Sequence, residues 1–86
     1  MPTTSTPTKL SRSFGQVLRE ARNTAGITQE ALGARANVHR TYIGDLESGR
    51  KSPTLDVIVA LARALGLTGQ ELMGAVEKRE EAVGRG

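Results

Sequence analysis

The run Thr28-Gln29-Glu30-Ala31-Leu32-Gly33-Ala34-Arg35-Ala36-Asn37, followed by Val38-His39-Arg40-Thr41-Tyr42-Ile43-Gly44-Asp45-Leu46-Glu47, has the pattern of two short helices joined by a tight turn. Thr28 is a good N-cap, and Leu32 and Ala36 fall one helical turn apart, on one face. Asn37 tolerates the left-handed backbone that ends a helix. Val38, Ile43 and Leu46 then give a second helix its inner edge, and Gly49 closes it before the Arg50-Lys51-Ser52-Pro53 loop. Each segment holds only about eight residues, fewer than the roughly 12–15 an isolated helix needs in water. Both must therefore lean on the rest of the chain.

Upstream, Leu10, Phe14, Val17, Leu18, Ala21 and Ala25 recur at helical spacing and predict an amphipathic helix over residues 11–24, stopped by Gly26. Downstream, Thr54 caps a fourth helix carrying Leu55, Ile58, Leu61, Ala62 and Leu65, with Val57 and Val59 beside them, and Gly66 stops it. That helix is the expected centre of the core. Thr68 and Glu71 form a capping box for a fifth helix bearing Leu72, Met73 and Val76. The expectation is an all-α chain of five helices and no strand. A domain over 10–77 is flanked by a disordered Thr-, Ser- and Pro-containing arm at 1–9 and a flexible charged, glycine-bearing tail at 78–86.

With 86 residues the chain suits one domain. Such a chain buries only about 60% of its unfolded surface, which leaves no room for a large enclosed active site. Phe14 and Tyr42 are the only aromatic residues, so aliphatic side chains must fill a core of close-packed helices. Cysteine is absent, which excludes disulfides, thiolate metal sites and thiol catalysis. His39 is the only histidine and no carboxylates cluster toward a pocket, so neither an enzyme nor a metal, cofactor or small-molecule ligand is expected. No apolar stretch approaches the length of about 18 residues that spans a membrane, and the first residues lack a signal-peptide core, so the expected compartment is the cytoplasm. The net charge of +3 is unevenly spread: residues 1–55 carry eight basic groups against four acidic, and the remainder nets −1. A basic first part suits contact with a polyanion, and the second part suits contact with protein.

Ile27 to Leu32, Asn37 to Ile43 and Leu46 to Arg50 together resemble the helix-turn-helix of the lambda-repressor-like (Cro/repressor, or Xre-type) family. The likeness continues through Leu18-Arg19 and Arg22 before it, and through Pro53, Leu61-Ala62 and Ala64-Leu65-Gly66-Leu67 after it, covering residues 14–73. The His39-Arg40-Thr41-Tyr42-Ile43 run is similar to that of restriction-modification controller proteins, and also to that of other Xre-type regulators. The resemblance implies a compact five-helix DNA-binding domain whose third helix enters the major groove of double-stranded DNA.

Physical reasoning about that helix runs alongside the resemblance. Thr41 and Asp45 are four residues apart and Arg40 adjoins Thr41, so the three share the side opposite Val38, Ile43 and Leu46. These are the candidate base-contacting residues. Arg40 can contact guanine O6 and N7 in bidentate fashion, the alternative being a phosphate contact or a solvated side chain. Thr41 can pack on a thymine methyl or donate to a base. Asp45 either accepts from cytosine N4 or, since phosphates repel it, orients Arg40 or an arginine of the partner subunit; the repulsion favours the second. Candidate phosphate contacts are Gln29, at the positive first turn of helix two, where the resemblance implies a backbone clamp, together with His39, Tyr42, Arg50 and Lys51. Tyr42 could equally serve packing, and Arg50 and Lys51 could be a solvated pair. Arg22 and Glu47 match a pair that, in the family, forms a structural ion pair, which assigns them to the scaffold.

Three positions depart from the family pattern. Gly33 replaces a small alanine, Asn37 a turn glycine, and His39 the Ser or Thr that normally caps the reading helix. One helix in one groove reads few base pairs, so a homodimer on half-sites about 34 Å apart is expected. Leu67, Leu72, Met73 and Val76 exceed what so small a core needs, and the resemblance implies pairing through helix five, the alternative being that part of this surface completes the core. The resulting expectation is a transcriptional regulator on a palindromic operator, repressing by occluding RNA polymerase or activating by touching it. The rival is an antitoxin-like interaction module that binds DNA secondarily.

Overall fold

The computed structural model describes residues 8–85, and within them five helices follow in order: α1 (Lys9–Ala25), α2 (Gln29–Ala36), α3 (Arg40–Glu47), α4 (Leu55–Ala64) and α5 (Gly69–Arg85). Local chemistry sets their ends. Thr8 and Ser11 form a reciprocal capping box at α1, with Ser11 N–H donating to Thr8 Oγ1 at 3.0 Å and Thr8 N–H to Ser11 Oγ at 2.8 Å. Thr28 and Thr54 accept from the backbone N–H of Ala31 and Val57 at 3.0 and 3.2 Å. Thr68 and Glu71 close the expected box at α5. Asn37 takes the left-handed conformation with φ 60°, the one non-glycine residue described to do so.

α1 packs on α3 and α5, α2 on α3 and α4, and α4 on α5. Their inward faces meet in a single core in which Leu18, Leu32, Ile43, Leu46, Leu61 and Val76 are fully buried. Burying one such aliphatic side chain stabilises by about 1.5–3 kcal/mol, which is what holds the two eight-residue helices α2 and α3 in place. Two close approaches need glycine. A Cβ on Gly15 would lie 2.6 Å from Glu47 O and closer still to Leu46 O, so Gly15 lets α1 settle against the end of α3. A Cβ on Gly33 would lie 2.6 Å from Val38 O, so the departure from alanine there matches a tight α2–α3 turn.

The structure corrects three boundary and burial expectations. Residues 78–85, expected as part of a tail, continue α5, and Arg79 joins that stretch to α1 by donating to Gln16 Oε1 at 2.6 Å and to Glu20 Oε2 at 3.0 Å; residue 86 lies outside the described residues. The expected arm reaches residue 9, yet Lys9 is already helical and Thr8 caps it; residues 1–7 lie outside the described residues. Leu55, expected in the core, is 81% exposed at the first position of α4. Its neighbour one turn on, Val59, is 39% exposed, and Leu61 and Ala62 supply α4's buried face instead. Among the described residues no single helix is long and apolar enough to cross a membrane.

Candidate nucleic-acid interface

α3 begins at His39, whose extended backbone and ring nitrogen Nδ1 cap the helix by accepting from Thr41 N–H at 3.0 Å. Because Nδ1 accepts, the proton of the neutral ring sits on Nε2, which leaves an N–H donor on the exposed side. Ile43 and Leu46 are fully buried beneath the helix, so its opposite side faces outward with Arg40 and Thr41 exposed and Tyr42 and Asp45 half-buried. Arg40 and Thr41 are open to solvent and Asp45 is more enclosed, with Arg40 free of any ion pair among the described residues.

The inner end of α3 is fixed by charge. Glu47 is buried, with its carboxylate removed from solvent, and four donors surround it. Arg22 donates through Nε to Oε2 at 2.6 Å and through Nη2 to Oε1 at 3.1 Å, a bidentate fork, while its Nη1 donates to Ile27 O at 2.9 Å. Gln29 Nε2 donates to Oε1 at 3.0 Å, and Arg19 Nε reaches the same oxygen at 3.4 Å. Burial pushes the Glu47 carboxyl up, but the hydrogen bonds from Arg22 and Gln29, the Arg22 charge and the Arg19 hydrogen bond outweigh it and hold the group below the usual carboxylate range. The hydrogen bond to Glu47 in turn holds Arg22 above its ordinary value, against the effect of burial. Through Glu47 the network joins α1, α2 and α3.

The outer end is organised around Asp45, and here the structure departs from expectation. Asp45 does not orient Arg40. Its Oδ1 lies 3.4 Å from Arg50 Nε and its Oδ2 3.4 Å from Lys51 Nζ, and Lys51 also stands 6.0 Å above the centroid of the Tyr42 ring. The reason is the chain reversal after α3. Gly49, with φ 79°, turns the backbone so that Arg50 N–H donates to Asp45 O at 2.9 Å, which folds the two loop cations back over the carboxylate. Arg50 and Lys51 remain well exposed.

The apolar set expected to pair two copies also divides. Leu72 and Val76 are 1% and 0% exposed and belong to the core, because α5 lays that face on α1 and α4. Leu67 and Met73 are partly buried against the same core. Among the described residues, the large apolar side chains that stay exposed are Leu10, Leu55 and Val59. Residue-by-residue reading passed over Arg19 as a site residue, though its position three before Arg22 places it on the same helix face. It passed over Gly15 as well, although a glycine inside a helical pattern is itself a signal of close approach.

Residues 13–73 match the family model described as a helix-turn-helix domain. The chain is 38% identical over 61 residues to the control protein C.BamHI of Bacillus amyloliquefaciens, covering 70% of this chain and 75% of that protein. It is likewise 38% identical over 61 residues to the uncharacterized HTH-type transcriptional regulator y4dJ of Sinorhizobium fredii, covering 71% of this chain and 74% of that one. Other curated relatives are longer, and in one of them the match spans 40% of the length. Among solved structures, the restriction-modification controller protein C.AhdI from Aeromonas hydrophila superposes with a TM-score of 0.70 at 39% identity, over 72% of this chain and 94% of that one.

Proposed function

The chain belongs to the helix-turn-helix domain family, and we propose that it is a sequence-specific transcriptional regulator that binds a palindromic DNA operator as a homodimer, in the manner of a restriction-modification controller. The observation that carries this reading is the two-sided build of α3. Its inner face is anchored by Ile43, Leu46 and the Glu47 network, and Arg40 and Thr41 are exposed, with no ion pair at Arg40 among the described residues. A helix held so firmly behind a polar, cation-bearing face is suited to the major groove.

Arg40 and Thr41 contact base edges in this reading. His39 through Nε2–H, the Tyr42 hydroxyl, Arg50 and Lys51 contact phosphates on either side. Gln29 has a second amide proton beyond the one given to Glu47, and it stands at the positive end of α2, where a phosphate is favoured. With Leu72 and Val76 committed to the core, the second copy contacts the exposed Leu55 and Val59 of α4, together with the accessible parts of Leu67 and Met73. Regulation follows from operator occupancy, by blocking RNA polymerase or by touching it from an adjoining site. The antitoxin-like alternative is not favoured, since the relatives carry regulator and controller names.

Selection of purified protein on a random duplex pool at moderate salt, followed by sequencing, tests the reading. The expected result is a recurring two-fold site with half-sites about 34 Å apart. A pool that shows no recurring two-fold site overturns it.

A further inference from the structure

Three charged side chains at the exit of α3 form a device that base reading alone does not require. Asp45 gives one carboxylate oxygen to Arg50 and the other to Lys51, each at 3.4 Å, and its own side chain is only 20% exposed. The two cations are 71% and 59% exposed, so solvent and any approaching polyanion reach them more easily than they reach Asp45. The cluster therefore shows a phosphate backbone a net charge of +1 instead of +2. If the cations turn to phosphates, Asp45 is left half-dried and unpaired beside a polyanion, an arrangement disfavoured by both desolvation and repulsion.

Building on the DNA-reading role proposed above, we infer that Asp45 is a filter against indiscriminate DNA binding: it holds Arg50 and Lys51 until an exocyclic base amine in the major groove replaces them as its partner. The N4 amine of cytosine and the N6 amine of adenine are the donors of that class, and a carboxylate accepts from either. Sequence without such an amine opposite Asp45 meets a weakened cationic cluster. Sequence with one satisfies the carboxylate and frees both cations for the backbone. Specificity thus gains a contribution from residues that touch no base, because their availability depends on Asp45. Two features keep the device local: the Arg50 N–H to Asp45 O bond of 2.9 Å fixes the loop, and the Tyr42 ring beneath Lys51 holds that ammonium over α3.

The test compares wild-type full chain, Asp45→Asn, Asp45→Glu and the double variant Asp45→Asn/Lys51→Ala on random-sequence duplexes across a salt series. Removing the carboxylate adds about one effective phosphate contact, so Asp45→Asn is expected to bind random duplex roughly threefold or more tightly and to steepen the log–log salt slope by about one unit. Asp45→Glu keeps the charge and the wild-type slope, and the double variant returns to it. In selection, an Asp45→Ala variant, whose side chain can accept from no base amine, loses the preference for cytosine or adenine at one position of each half-site. An Asp45→Asn protein whose random-duplex affinity and slope equal those of wild type, or which binds more weakly, overturns the filter while leaving the regulator reading intact. A wild type that binds no duplex at all overturns both.

Discussion

Glu47 and Asp45 stand two residues apart on one eight-residue helix, and they treat their cations in opposite ways. Glu47 is fully removed from solvent and surrounded by Arg22, Gln29 and Arg19 from two other helices. Asp45 lies at the surface and shares two cations from the loop that follows its own helix. The inner carboxylate joins parts of the fold distant in sequence, so it is structural. Among the described residues the outer one is paired only with its neighbours in sequence, so it can change partners without disturbing the core. Burial, more than charge, separates the scaffold carboxylate from the proposed reader on α3.

The sharpest way to break this contrast is at Glu47. Glu47→Ala leaves Arg22, whose side chain is only 14% exposed, without its counter-ion. Breaking one side of such a buried pair costs about 3–5 kcal/mol, to be read as a lowered urea midpoint. A loss below about 1 kcal/mol would place Glu47 among ordinary surface pairs. The same pair sets a pH response. Because the folded Glu47 carboxyl lies below its unfolded value of about 4.3, its stabilisation is fully present above that pH and is lost as pH falls through the lowered folded value. Wild type should lose more stability between pH 5 and pH 3 than Glu47→Gln does, a comparison that urea titrations at the two pH values check.

Next in size is Gly15→Ala, which drives a methyl into the carbonyls of Leu46 and Glu47 and separates α1 from the anchored end of α3. Overpacking of this kind costs about 1–3 kcal/mol. An unchanged melting temperature would show that α1 and α3 can move apart freely. Gly15 also marks where sequence alone stops informing. Thr28, Asn37, Thr54 and Thr68 were legible because a cap is a local bond between near neighbours. The length of α5 was not, because residues after Lys78 lack an apolar period and Arg79 holds them through Gln16 and Glu20, far away in the chain. Likewise, Leu72 and Val76 read as surplus apolar mass, and only the placement of α5 on α1 and α4 assigns them inward. Asp45 had three cations within reach in sequence, and the reversal at Gly49 selected Arg50 and Lys51 over Arg40.

On the outer face the effects concern DNA and not folding. Arg40→Ala should relax sequence preference at one half-site position by about 1–3 kcal/mol while leaving the melting temperature unchanged, since the side chain has no ion-pair partner among the described residues. Lys51→Ala should weaken every duplex without changing the preference at Arg40's position, most on sites that place a base amine opposite Asp45, and shallow the salt slope there by about one unit. Competition binding against base-substituted sites separates the two. Equal loss of preference in both variants would end the division between reader and phosphate contact.

The smallest effect lies where the two faces meet, at His39. Its Nδ1 caps α3 toward Thr41 N–H in an exposed ring, and the proposed phosphate contact through Nε2–H would give that ring a second task at the interface. His39→Ala removes both functions and should cost about 1 kcal/mol of stability, the usual worth of a cap, along with some DNA affinity. His39→Ser restores a cap of the kind the helix accepts and should recover the melting temperature, yet it lacks the outward N–H and should bind DNA as weakly as the alanine variant. Thermal melts and duplex binding on the same preparations decide the matter. If serine restores both stability and affinity, His39 acts only through the helix it caps, and the phosphate contacts fall to Gln29, Tyr42 and the loop cations.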